Sequence, residues 1–239
     1  MSFETLGSTS DHCRACAEAG EPDGLAVLAS QQTGGRGSHG RAWASPAGNL
    51  YCSVLMRPKG AAREGGLWSL LAGVAVAEAV AALLPDPVRL SLKWPNDLLL
   101  DGCKLAGILV DSSPDGAGGL AWLVIGIGVN LAHAPDVPGR RTACLAPFGP
   151  PPAPEAMARA ILARLDAWRA IQAAEGFAPV RAAFLARAPR LGTRMAVRIG
   201  DTETAGNFAG LGEDGSLLLE AGARVRAFAA GEVRLLAGA

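Results

Sequence analysis

Lys93-Trp94-Pro95-Asn96-Asp97-Leu98-Leu99-Leu100-Asp101-Gly102-Cys103-Lys104-Leu105-Ala106-Gly107-Ile108-Leu109-Val110 sets two short apolar runs on either side of an Asp-Gly pair. Both residues of that pair tolerate positive φ, so the segment reads as a β-hairpin turning at Asp101-Gly102. Pro95 ends the strand before it, because a proline cannot donate to a ladder. Lys93, Asp97 and Lys104 are charged groups in apolar surroundings, and desolvating such groups is costly unless they meet one another or a ligand. The same pattern also describes a tight turn with a solvated lysine on each side. Alternation along the second strand puts Lys104, Ala106, Ile108 and Val110 on one face, and Leu105, Gly107 and Leu109 on the other.

Working outward, Ser8-Thr9-Ser10-Asp11 reads as a helix N-cap opening a helix to about Gly20. Strands are expected at Leu25 to Ser30, Leu50 to Arg57, Val88 to Trp94 and Leu120 to Leu131, and helices at Glu155 to Ala174 and Pro179 to Ala188. Residues 133–154 are rich in Pro and Gly and read as loop. Leu67 to Leu84 could nearly span a bilayer by length, but it carries Ser69 and Glu78 and stops at Pro85-Asp86-Pro87, so a buried helix is expected. After Pro189 the pattern changes to short strands at Met195 to Ile199, Ala205 to Leu211, Ser216 to Glu220, Arg224 to Ala229 and Glu232 to Leu236. That spacing suggests a small all-β barrel. The expected fold is α+β, with a mixed or antiparallel sheet and helices on one side in residues 1–188, and a small barrel in 189–239.

Lys plus Arg equals Asp plus Glu at 22 each in the 239 residues, so no basic surplus advertises nucleic acid or an acidic membrane. The start, Met1-Ser2-Phe3-Glu4, lacks the features of a signal peptide, and five cysteines form an odd count that fits free thiols in a reducing cytoplasm. Cys13-Arg14-Ala15-Cys16 has no second pair or His cluster to complete a metal site, and reads as two small residues on a helix.

Gly35-Arg36-Gly37-Ser38-His39-Gly40 matches G-x-G-x-x-G, yet loop chemistry follows it rather than a helix, which rules out a dinucleotide fingerprint. What survives is a glycine-rich loop whose backbone N–H groups can approach an anion, with Arg36 and Arg41 adding charge. A mobile surface loop has the same composition. Gly107, and Gly126 and Gly128 in Val124-Ile125-Gly126-Ile127-Gly128-Val129-Asn130, interrupt strands, which marks close approach of a ligand, or else a bulge at Gly107 and tight packing at Gly126 and Gly128.

With these segments in order, the chain resembles the biotin–protein ligases, which biotinylate the carrier protein of biotin-dependent carboxylases. The matching stretches are Gly7-Ser8-Thr9, Gln32 through Trp43 with Ser45-Pro46 and Asn49-Leu50-Tyr51, Lys93 through Gly107, and Ile125 through Asn130. Arg194 to Leu236 is similar to the family's SH3-like C-terminal barrel. The resemblance implies an ATP-dependent ligase that forms biotinyl-AMP and pyrophosphate, then passes biotin to a lysine of the biotin carboxyl carrier protein, with ATP, Mg²⁺ and biotin required. It implies that Lys104, Arg36 and Asp97 are catalytic. For biotin binding it implies Ser8, Thr9, Gln32, Gly35, Arg36, Gly37, Gly40, Lys104, Gly107, Gly126 and Gly128. For ATP binding it implies Arg36, Arg41, Trp43, Asn96, Lys104 and Asn130, with Asp97 as a Mg²⁺ ligand.

The chain departs from the family pattern in three places. Ser38 and His39 stand where many members have two further arginines, and Ser10 replaces a frequent Asn. Only seven residues precede Ser8, so no DNA-binding helix-turn-helix is expected and DNA is not an expected partner. A membrane is not one either, whereas a homodimer is expected on the resemblance. The competing readings are a lipoate–protein ligase, which shares the catalytic fold, a non-catalytic biotin or adenylate sensor, and a transcriptional repressor.

Overall fold

The computed structural model describes residues 1–86 and 89–236. The expected strand start at Val88 lies outside them. In chain order the elements are β1 (Ser2–Leu6), α1 (Thr9–Glu18), β2 (Ala26–Gln32), β3 (Leu50–Met56), α2 (Leu67–Ala81), β4 (Leu90–Lys93), β5 (Asp97–Leu100), β6 (Cys103–Pro114) and β7 (Leu120–Val129). They continue with α3 (Pro154–Glu175), α4 (Ala178–Leu185), β8 (Arg194–Ile199), β9 (Thr202–Leu211), β10 (Leu217–Ala221), β11 (Arg224–Phe228) and β12 (Glu232–Leu235).

The first sheet runs β1-β2-β3-β7-β6-β5-β4. Its β4 to β7 segment is an antiparallel meander, and the Asp101-Gly102 turn carries φ of 49° and 73° as the hairpin requires. β1 was not expected from sequence. It pairs parallel to β2 at the sheet edge. Only Phe3 and Leu6 reach an apolar cluster, so the segment lacks a clear alternating pattern.

β3 shows how the two faces of this sheet divide. Leu50, Cys52, Val54 and Met56 point into the main core with α2, α3 and α4. Leu55 points the other way, into a second cluster with Cys13 and Ala17 of α1 and with Val27 and Val124. The expectation of helices on one side therefore needs refinement: α1 lies on the opposite face. Apart from Ser69 and Glu78, α2 is apolar around its circumference because it is enclosed by the sheet, α3 and α4. By composition residues 64–81 would pass for a membrane span, but here they form the core helix. The expected Cys13–Cys16 pair sits on α1 as free thiols, and burial pushes the Cys13 thiol up to about 12.

The second sheet, β11-β10-β9-β8-β12, is antiparallel throughout. It corrects the expected barrel: among the described residues β11 and β12 remain its two edges, so it is SH3-like in strand content without closing. Its Met195, Val197, Phe208, Leu217 and Val233 join the main core. Trp94, buried before the β5 turn, donates its indole N–H to the Gly215 carbonyl at 3.0 Å and so ties the two sheets together. Trp94→Phe keeps an aromatic ring, though a smaller one, and orphans that carbonyl, and is expected to cost about 1–3 kcal/mol of stability. An unchanged urea midpoint would show that the bond holds nothing together.

Candidate active site

The pocket opens on the α1 face of the first sheet. It lies between α1, the glycine-rich loop and strands β6 and β7. Thr9, Ser10, Gln32, Arg36, Gly37, Trp43, Asn96, Lys104, Gly107, Gly126 and Gly128 line it. A second chamber shares Gly37, Ser38, Trp43 and Lys104 with the first and adds Arg41, Asn130, Arg140 and Thr142. Trp43 and Lys104 thus stand at the junction of two spaces.

Lys104 reaches this face through a register break. Leu98 pairs with Ala106 but Leu99 pairs with Lys104, so Leu105 is an extra residue on β6. This β-bulge inverts the alternation before it. Simple alternation put Lys104 on the Ala106 face. Instead, Ala106 and Ile108 enter the main core while the Lys104 side chain lies over Gly107. The Lys104 backbone is pinned by Arg141 and Ala143, at 2.8 and 2.9 Å, rather than by β5 alone.

Asp97 lies behind Lys104. Its carboxylate bonds the Lys104 ammonium through one oxygen and the Lys93 ammonium through the other, the latter at 2.7 Å. The three side chains are 7%, 17% and 19% exposed for Asp97, Lys104 and Lys93. Burial alone would raise the Asp97 pKa, but the two ammonium groups outweigh it and hold the carboxyl below its usual 3.8. Burial lowers the Lys104 pKa, and Asp97 opposes that shift. Lys104 also sits 5.2 Å from the centroid of the Trp43 ring, within cation–π range.

Both Asp97 oxygens are therefore engaged by ammonium groups of the protein. Among the described residues no cluster of three or more His, Cys, Asp or Glu groups could hold a metal ion.

Side chains of the protein itself stand against the mid-strand glycines. A Cβ on Gly128 would lie 2.6 Å from the Trp43 ring, and one on Gly107 would lie 3.0 Å from it. On Gly126 it would collide with the Ser10 hydroxyl. The close approach these glycines permit is made by Trp43 and Ser10, which form the inner wall of the pocket.

The glycine-rich loop folds back on itself, with Gly37 N–H donating to Arg41 C=O at 2.7 Å and Trp43 N–H to Gly35 C=O at 2.9 Å. Arg36 reaches over the pocket and donates to Asp11 at 2.9 Å and Asp111 at 2.8 Å. Arg41 turns away, donating to Glu232 at 2.6 Å and to the Ser38 hydroxyl at 3.1 Å. Other expected residues have local duties. The Ser8 hydroxyl accepts from Asp11 N–H as the α1 cap and does not line the pocket. The Asn96 amide donates to Ile108 C=O at 2.7 Å, fixing the β6 backbone. Gly35 packs against Gln32, Trp43 and Ser45, and Gly40 stands clear with φ of 70°.

Two buried polar atoms at the junction have no partner: Trp43 Nε1 and Asn130 Oδ1. Unmet buried groups of this kind are costly, so they mark where a ligand's own groups would be received. Asn49 aligns the end of β7, its Oδ1 accepting the N–H groups of Leu131, Ala132 and His133 at 3.0 Å each.

Sequence reasoning missed Asp11, Asp111 and Glu232, because their roles rest on contacts 25 to 191 residues distant. Glu232 binds Arg41, Arg140 and Arg198, tying the site loops to the second sheet. Partial burial would raise its pKa, yet hydrogen bonds from Arg198 and Arg41 and the charges of Arg41 and Arg140 bring it down from 4.5 to about 2. A depressed carboxyl pKa adds stability above pH 4.5 that is lost as pH falls towards about 2. Glu232→Gln is expected to lower unfolding free energy by up to about 1 kcal/mol above that window, with the deficit closing inside it. A pH-independent deficit would assign the loss to packing.

Comparison with known proteins bears on this geometry. The model of the biotin/lipoate A/B protein ligase family matches residues 8–130. The biotin–[acetyl-CoA-carboxylase] ligase of Paracoccus denitrificans is 39% identical over 218 residues, covering 87% of this chain and 88% of that protein. The enzyme of the same description from Mycobacterium tuberculosis is 34% identical, covering 96% and 86%. The structure of the biotin protein ligase from Aquifex aeolicus in complex with biotin and ATP superposes with a TM-score of 0.83 at 25% identity, covering 99% of this chain and 98% of that one.

Proposed function

The chain belongs to the biotin/lipoate A/B protein ligase family, and from that premise we propose that it activates biotin with ATP and transfers it to a lysine of a biotin carboxyl carrier protein. The observation that carries this reading is the buried Lys104 ammonium, set by the β6 bulge at the junction of two chambers and backed by Asp97. Biotin occupies the chamber of Thr9, Ser10 and Gln32. The adenylate half of ATP occupies the chamber of Trp43 and Asn130, where Asn130 Oδ1 can accept from the adenine amine.

In the first step a biotin carboxylate oxygen attacks the α-phosphorus, the bond to the β-phosphate oxygen breaks, and biotinyl-AMP and pyrophosphate form. Lys104, between the carboxylate and the α-phosphate, stabilises charge on the phosphorus oxygens as they change geometry. Asp97 acts through Lys104, keeping the ammonium charged and aimed in spite of its burial. In the second step the neutral amine of the acceptor lysine attacks the biotinyl carbonyl and AMP leaves with the bonding pair. Arg36 and the backbone N–H groups of the loop lie over the intermediate. Mg²⁺ enters with the nucleotide as MgATP and would help neutralise charge on the phosphates.

We assign the catalytic unit to residues 1–188 and the SH3-like unit to 189–239. The carrier is the acceptor domain of a biotin-dependent carboxylase. The working state is a cytoplasmic homodimer that binds neither duplex DNA nor membrane.

Incubation with ATP, Mg²⁺, biotin and a carrier domain is expected to add one biotin to a single carrier lysine by intact mass, releasing AMP and pyrophosphate. Transfer of lipoate but not biotin, or release of ADP, would overturn the reading. Lys104→Ala is expected to lose roughly 10²–10³-fold in the rate of pyrophosphate release, with a smaller change in biotin affinity. Near wild-type adenylation by a folded Lys104→Ala would remove Lys104 from the chemistry.

A further inference from the structure

Beneath the first chamber runs a chain of hydroxyls whose proton order can be worked out. Thr9 N–H, which can only donate, lies 2.8 Å from Gln32 Oε1 and so fixes the orientation of that amide. Thr9 Oγ1 lies 3.2 Å from the same oxygen and must donate to it. Its single proton is then spent, so the Ser53 hydroxyl at 2.9 Å donates to Thr9. Ser53 in turn can only accept from Ser10, 3.1 Å away. At the other end Gln32 Nε2 donates to Ser45 Oγ at 2.9 Å, and Ser45 donates to the Trp43 carbonyl at 2.9 Å. The Tyr51 hydroxyl, also on the pocket, donates to Pro46 C=O at 2.7 Å.

Every hydroxyl proton on this floor is therefore committed inside the protein, and Thr9, Ser10 and Tyr51 keep only lone pairs for a ligand. Gln32 retains one N–H. A ring bearing two N–H donors beside a carbonyl, such as a cyclic urea, fits that polarity, whereas a ring oxygen would face lone pair against lone pair.

We propose that Ser53, which does not itself line the pocket, is the positioning residue that imposes this polarity and so sets the specificity for a urea ring. The assignment rests on the biotin reading above. Ser53 is fully buried in β3, on the face opposite the main core, and it meets both Thr9 and Ser10. Gly126 across the sheet leaves the room that the Ser10 hydroxyl occupies. Without the Ser53 oxygen the Ser10 proton loses its acceptor and is free to turn towards the ligand.

The test compares biotin with its cyclic carbamate analogue, in which one ring N–H is replaced by oxygen, in wild type and Ser53→Ala. The biotin KM is expected to rise about 3–10-fold in the variant, with kcat and the ATP KM unchanged. The wild-type preference for biotin over the carbamate is expected to narrow about 10-fold, because the freed Ser10 proton can meet the ring oxygen. Ser53→Cys, which fills the volume with a weak hydrogen-bonding group, is expected to narrow the preference likewise, and it carries the test if the alanine variant does not fold. An unchanged preference in a folded variant overturns the Ser53 assignment and leaves biotin recognition standing. Failure of the wild type to bind biotin by calorimetry overturns the functional reading beneath it, and the assignment falls with it.

Discussion

One carboxylate facing two ammonium groups, Asp97 between Lys93 and Lys104, is the constraint around which the site is organised. Charges this deeply placed persist only when paired, because removing either partner leaves an uncompensated buried charge. The pairing holds the Lys104 head in one place. Asp97 opens β5, Lys93 closes β4 and Lys104 is the second residue of β6, so the triad also brackets the first two turns of the meander. Lys93 further donates to the Val233 carbonyl at 3.1 Å, which extends the same network into the second sheet.

The first sheet serves two purposes by using its faces differently. One face is uniformly apolar and packs on α2, α3 and α4. The other is interrupted by small and polar residues, Ser53, Gly107, Gly126 and Gly128, and there α1 and the glycine-rich loop stand off to leave a cavity. A glycine in mid-strand weakens a ladder. Here that cost is offset by Trp43 lying directly on the backbone of β6 and β7, which places an aromatic face and a lysine side by side at the junction of the chambers.

The second sheet is joined to this arrangement by polar contacts at its near edge as well as by shared core. Glu232 gathers Arg41 and Arg140 from two separate site loops, and Trp94 bonds the turn at Gly215. The loops that flank the ligand space are therefore braced on a sheet that contributes no lining residue to the first chamber. Arg41 lines the second chamber and through Glu232 also links the loop to the brace.

Much of this was legible in the residues themselves. The Asp101-Gly102 turn, the Ser8 cap, the largely apolar α2 and the short strands after Pro189 follow from local rules, since positive φ, capping and periodicity are properties of neighbouring residues. The candidate residues Lys104, Arg36, Trp43 and Asn130 were also marked in advance, by their types and by the resemblance those segments carry. Local rules could not reach the β6 bulge, because a single unpaired residue is defined by the partner strand, and that one residue decides which face Lys104 takes. Nor could they show that Trp43 and Ser10 fill the space above the glycines, that α1 lies opposite the other helices, or that the second sheet stays open. Composition and periodicity determined the elements and the kinds of chemistry available. Tertiary packing decided which groups meet, because a contact between residues far apart in the chain depends on the register and face of every strand between them.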